Sequence, residues 1–299
     1  MVAGSPFSSS KSDRREFWMG IVFISPWIIG LLAFTLYPIG MSLYYSLTEY
    51  SVLSDPRFVG IRNYVNLFKD EVFRRALQNT LYVIAVGVPL TLLSAFSAAV
   101  LLNAKELRRF SFFRIVFFLP TLIPLIINCI LWLWLLNAET GLINTLLRFF
   151  HIPGPPWLGS PVWSKPAFIL MMIWGCGGTI IIFLAGMQDI SESLYESASI
   201  EGANFLQRTI HITIPMLSPV ILFNAVTLVI AAFQWFAEPF IMTTGGPNNS
   251  TLFYSLYLYQ NAFRFFRMGY ASAMAWILLI IALGIIFLLF RGMKRFSQN

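Results

Sequence analysis

Six stretches of the chain stay apolar for about 20 residues or more, the length a helix needs to cross roughly 30 Å of hydrocarbon. They lie near residues 17–46, 76–102, 112–136, 166–188, 218–242 and 270–290. A backbone in lipid must satisfy its own hydrogen bonds, so the fold class expected is an all-α membrane protein with six transmembrane helices. Composition agrees: 11% of the residues are charged and 58% hydrophobic, where a soluble domain carries about 25% charged residues. So few charges cannot cover a water-facing surface. Residues 1–16 and 291–299 are left as polar tails. The apolar stretch from Phe17 has no small-residue cleavage site and is read as a retained first helix, not a signal peptide. Pro26, Pro38, Pro89, Pro120 and Pro124 fall inside the stretches, where bends rather than breaks are expected because neighbouring helices satisfy the freed carbonyls.

The net charge of +7 would suggest nucleic acid in a soluble protein. Here the basic residues flank apolar runs, which makes them determinants of orientation instead. With the N-terminus inside, the inner face holds Lys11, Arg14, Arg15, Lys105, Arg108, Arg109, Arg114, Arg208, Arg291, Lys294 and Arg295. The outer face holds Arg57, Arg62, Lys69, Arg74, Arg75, Arg148, Lys165, Arg264 and Arg267. The inner set crowds into short tails and one tight loop, where the positive-inside rule acts most strongly, so both termini are expected in the cytoplasm. Loops 47–75, 137–165 and 243–269 then face out, and the segment 189–217 faces in.

That inner segment carries the most information. Ser193 to Glu201 has no helix breaker, offers Ser191 or Ser193 as an N-cap, and puts Glu192 and Glu196 where the helix dipole favours negative charge. Gly202 supplies a C-terminal stop, Arg208 lies in a second helical stretch, and Pro215 and Pro219 precede the fifth span. The expected product is a compact helical knob between two spans.

Glu196-Ser-Ala198, Gly202-Ala203 and Ile212-Thr-Ile-Pro215-Met-Leu-Ser-Pro219 resemble the signature loop of bacterial ABC importer permeases, with Ser197, Glu201 and Ile214 as small departures. Phe58-Val-Gly60 with Asn63-Tyr64, Asp70, Phe73 and Asn79-Thr80, then Thr244-Gly-Gly-Pro247, Thr251, Tyr259, Ala262-Phe263 and Gly269-Tyr-Ala-Ser-Ala273, extend the resemblance to the carbohydrate-uptake permeases. The resemblance implies the type I importer permease fold in a prokaryotic inner membrane. It also implies three kinds of partner: a second permease, an ATPase dimer that holds ATP and Mg, and an extracytoplasmic substrate-binding protein. In such a family the knob docks on the ATPase. Glu196 and Glu201 would offer charged contacts, Ala198 and Ala203 close approach, and Gly202 and Pro215 the turns.

The fifth span has a second pattern. At 100° per residue, Asn224, Thr227, Ala231, Gln234, Trp235 and Glu238 share an arc of about 100°. A polar and aromatic face suits a sugar path, and it equally suits interhelical hydrogen bonding, to which Asn224 leans. Asn128 is expected to make a packing hydrogen bond, and Trp132, Trp134 and Trp157 to anchor at the membrane interface. Cys129 and Cys176 lie in apolar segments, where neither a disulfide nor a metal site is expected, and His151 and His211 have no ligand-like spacing.

None of the five lysines follows a glycine, so no phosphate-cradling loop is present and energy must come from another chain. No catalytic constellation, cofactor or metal site is expected on this chain. A competing reading is an ion-coupled secondary transporter with Glu238 carrying a proton, although the internal repeat it calls for is not evident.

Overall fold

The computed structural model describes residues 11–104 and 111–296. Among the positions used to assign sides, Lys105, Arg108 and Arg109 lie outside the described residues. So do residues 1–10 and 297–299 of the tails and the side chains of Lys11, Arg14, Lys294 and Arg295. Among the described residues, four helical segments are long and apolar enough to span a bilayer: Arg15–Ser46, Glu71–Asn103, Ser218–Met242 and Met268–Met293. Two bent helix pairs, Phe112–Leu122 with Leu125–Leu135 at 101° and Ser164–Trp174 with Gly177–Gln188 at 44°, are apolar and long enough to bring the number to six if each pair is one span.

Proline chemistry explains which helices bend and which part. A proline ring collides with the carbonyl four residues back. Single widened turns at Leu32–Leu36, Val83–Gly87 and Thr209–Thr213 each end two residues before a proline, at Pro38, Pro89 and Pro215. The wider turn moves the offending carbonyl aside, and the chain stays helical. In the third span this does not happen. Ile123 precedes Pro124 and adopts extended backbone (φ −73°, ψ 124°), as residues before proline prefer, so the helix stops and restarts at Leu125. The bend expected at Pro120 and Pro124 is therefore a break. The fourth span pauses at Gly175 and Cys176. The fifth pauses at Gln234–Phe236 and resumes at Ala237, which leaves Pro239 in a first turn where its missing N–H costs nothing.

The second and fifth spans are more buried than the first and sixth. Ala95, Ala98 and Ala99 of the second span meet Ile180, Phe183, Leu184 and Met187 of the fourth, small residues permitting the close approach. A second cluster joins Val83, Val88, Trp132, Phe168, Met171, Val229, Phe233 and Phe253. Trp132 is thus a core residue rather than an interfacial anchor, edge-on to Trp174. Trp157 packs against this cluster and donates its Nε1–H to Asn144 Oδ1 at 2.7 Å, whereas Trp134 stays exposed. At Gly177 an added Cβ would strike the backbone of Phe117 and Phe118, so this glycine lets the third and fourth spans touch. Both cysteines are buried free thiols.

The connections expected on the outside include a β-hairpin, Thr48–Ser51 paired antiparallel with Ser54–Phe58, the one departure from an all-α chain among the described residues. Asn63 Nδ2 donates to the Ser46 and Thr48 carbonyls, and Tyr64 Oη donates to Ser46 Oγ. Asp70 caps the second span by accepting from the Val72 and Phe73 N–H groups, and its other oxygen accepts from Tyr257 and Tyr270. Asn79 donates to the Asn249 and Leu252 carbonyls, and Thr80 Oγ1 accepts from Tyr254 N–H.

Candidate functional site

The knob is built by backbone chemistry. Its helix runs Glu192–Ile200, with Ser191 at the N-cap position, although Ser191 Oγ bonds Ser193 Oγ instead of capping. At the other end Ala203 N–H donates to Ala198 O at 2.9 Å and Gly202 N–H to Ser199 O at 3.1 Å. This pair of bonds is the Schellman closure, and it requires the left-handed backbone that Gly202 adopts at φ +81°. Asn204 then starts the next helix through a reciprocal capping box with Gln207, a signal of Asn followed three residues later by Gln that sequence reasoning overlooked. The two arms are tied together: Arg208 Nη1 donates to Ser199 Oγ at 2.8 Å, and Tyr195 Oη and Thr213 Oγ1 share a hydrogen bond at 2.9 Å.

Of the knob residues singled out from sequence, Glu196, Glu201, Gly202 and Pro215 are exposed, and Ala198 and Ala203 half-buried. No atom lies within 4 Å of where a Gly202 side chain would begin. Around them stands an apolar surface that the motif does not include. Ile200 is 88% exposed, and Phe205, Leu206 and Ile210 are also exposed.

A cavity of about 680 Å³ lies where the third, fourth and fifth spans break. Pro120, Thr121 and Ile123 line it from the first break, Gly175 and Cys176 from the second, and Gln234, Trp235 and Phe236 from the third. Two helices begin at this wall, Leu125–Leu135 and Gly177–Gln188, neither with a side-chain cap. Two others, Ser164–Trp174 and Ser218–Phe233, end there. Free N–H groups and free carbonyls thus collect at one place, as at interrupted helices in other transport proteins.

The helical arc drawn through the fifth span holds only as far as Phe233, because regular helix stops there. Gln234, Trp235 and Glu238 nonetheless reach the cavity wall. Asn224 does not line it: this residue is buried and donates to the carbonyl of Val220 one turn back. Trp235 stacks on Phe253 at 5.5 Å with an interplanar angle of 7°, and Phe168 stands edge-on to both rings. Asn128 also lines the cavity, and its Oδ1 is buried without the packing hydrogen bond expected of it.

Comparison with known proteins agrees with this architecture. Residues 87–299 match the family described as binding-protein-dependent transport system inner membrane component. The chain is 40% identical to the probable ABC transporter permease protein YesP of Bacillus subtilis, over 94% of this chain and 92% of that one. It is 37% identical to the lactose transport system permease protein LacF of Rhizobium radiobacter, over 95% and 97%. It is 31% identical to the arabinooligosaccharides transport system permease protein AraP of Bacillus subtilis, over 93% and 91%. A chain of a bacterial alginate ABC transporter, solved with its alginate-bound periplasmic protein, superposes with a TM-score of 0.82 at 25% identity, covering 98% of this chain and 99% of that one. The chain is a multi-pass membrane protein that belongs to the inner membrane components of binding-protein-dependent transport systems.

Proposed function

We propose that this chain is one permease half of an ATP-driven importer for a sugar or sugar-like solute. Its partners are a second permease, an ATPase dimer that binds ATP and Mg, and an extracytoplasmic substrate-binding protein. No cofactor is bound by this chain itself. The observation that carries the reading is the meeting of three helix breaks at one cavity lined by Gln234, Trp235, Glu238, Asn128 and Thr179. Hydroxyl-rich solutes need donors, acceptors and an aromatic face, and this wall offers all three. Relatives named for lactose and arabinooligosaccharides support a carbohydrate cargo.

The knob is the contact with the ATPase. Glu196 and Glu201 supply charge, Ala198 and Ala203 let the partner approach closely, and Gly202 and Pro215 hold the shape. ATP is cytoplasmic, so the knob and both termini lie in the cytoplasm. Closure of the ATPase dimer then moves the spans between two states.

The test is uptake by the complete importer in vesicles carrying Gln234→Ala. Solute KM should rise about fivefold or more, the loss of one hydrogen bond, while assembly with the ATPase is unchanged. Normal uptake kinetics, or loss of assembly alone, would show that Gln234 packs and does not touch solute.

A further inference from the structure

A second, smaller pocket of about 300 Å³ shares no lining residue with the cavity and extends to the knob end of the spans. Leu102 lines it one residue before the second span ends, Arg114 stands near the start of the third, and Gln188 is the last helical residue of the fourth. Between them the walls are apolar: Phe117, Phe118, Ile180, Ile181 and Leu184. Among the described residues no acidic side chain lines the pocket, and Nε of the half-buried Arg114 is shut away without a hydrogen-bond partner. An always-charged guanidinium in an apolar trough is costly unless an anion completes it. Leu102 and Gln188 lie at the ends of apolar helices long enough to reach a membrane surface, where phospholipid head groups supply anions.

We propose that this pocket binds one anionic phospholipid, the phosphate on Arg114 with Gln188 beside it and an acyl chain along Ile180, Ile181 and Leu184. Net-negative lipids are preferred over zwitterionic ones, because among the described residues no carboxylate at the site receives an ammonium or choline group. The bound lipid fills the space between three spans directly beside the knob. It braces the half-helix Ser111–Phe118, which otherwise leans on the fourth span at Gly177.

Native mass spectrometry of the purified importer in detergent tests this, with phosphatidylglycerol and phosphatidylcholine added in turn. One tightly held phosphatidylglycerol is expected, with retention falling about tenfold in Arg114→Gln and weak retention of phosphatidylcholine in both. Ile181→Trp fills the trough and leaves the charge, and should lower phosphatidylglycerol retention by a similar factor. Equal retention by wild type and Arg114→Gln would overturn the site. Loss in Arg114→Gln without loss in Ile181→Trp would also overturn it, since that pattern means a surface charge and no acyl pocket. Co-purification of the ATPase with each variant separates these outcomes from misfolding.

Discussion

At Gly202 two demands meet that are often confused. The residue sits at φ +81°, which costs an alanine about 1–2 kcal/mol, and its side-chain direction is open. Asparagine tolerates this backbone, so Gly202→Asn should keep the amide protection of Ala203 near the native level while Gly202→Ala lowers it, as read by hydrogen exchange. If Gly202→Asn still loses the ATPase, the space in front of the glycine belongs to the partner. Asp70 shows a different economy. Burial raises its carboxyl, but bonds from Tyr257, Tyr270, Phe73 and Val72 outweigh that effect and hold it below the ordinary range. Burial and the bond to Asp70 push Tyr257 up to about 12. A depressed carboxyl stabilises the fold fully above its unfolded value, near 4, and ceases to do so as the pH falls through its folded value. Asp70→Ala should therefore cost about 2–4 kcal/mol at neutral pH. The gap to wild type should narrow below about pH 4 in thermal unfolding of the detergent-solubilised protein.

Among the elements, the knob was the most legible in sequence, because its closure depends on one glycine and its helix on the absence of breakers. Its second arm was harder to read, since the capping box at Asn204 and Gln207 closes a helix of only four residues, Phe205–Arg208. The exposed apolar rim of Ile200, Phe205 and Leu206 was not legible, because apolar residues at such spacing read equally as a buried helix face. Burying a side chain of this size against a partner is worth about 1.5–3 kcal/mol. Ile200→Asp should accordingly lower ATPase co-purification about tenfold or more while membrane insertion is unchanged. Undiminished co-purification would place the docking face elsewhere on the knob. The helix breaks follow a similar logic. Pro124 and Pro239 carried the signal, but a helical wheel continued past Phe233 assumed that nothing interrupted it. The hairpin at Thr48–Phe58 went unread because its strands are short and polar, with no alternation to set them apart from a loop.

Across the whole molecule, the six apolar stretches correspond to four helices long enough to span and to two bent pairs, since hydrocarbon thickness sets the least length a spanning helix can have. Which stretches stay whole was not legible from apolar length, because that depends on how each proline is absorbed. The motif residues outside the knob prove to be tethers: Asn63, Asp70, Asn79 and Thr80 bind distant loops and spans into one frame. The cavity, by contrast, owes its position to where the third, fourth and fifth helices stop, and its character to the few side chains that project there. Those two properties are encoded in different residues, so they are free to change at different rates. On the function proposed above, exchanging Gln234 or Asn128 would alter what the cavity accepts and leave the broken helices untouched.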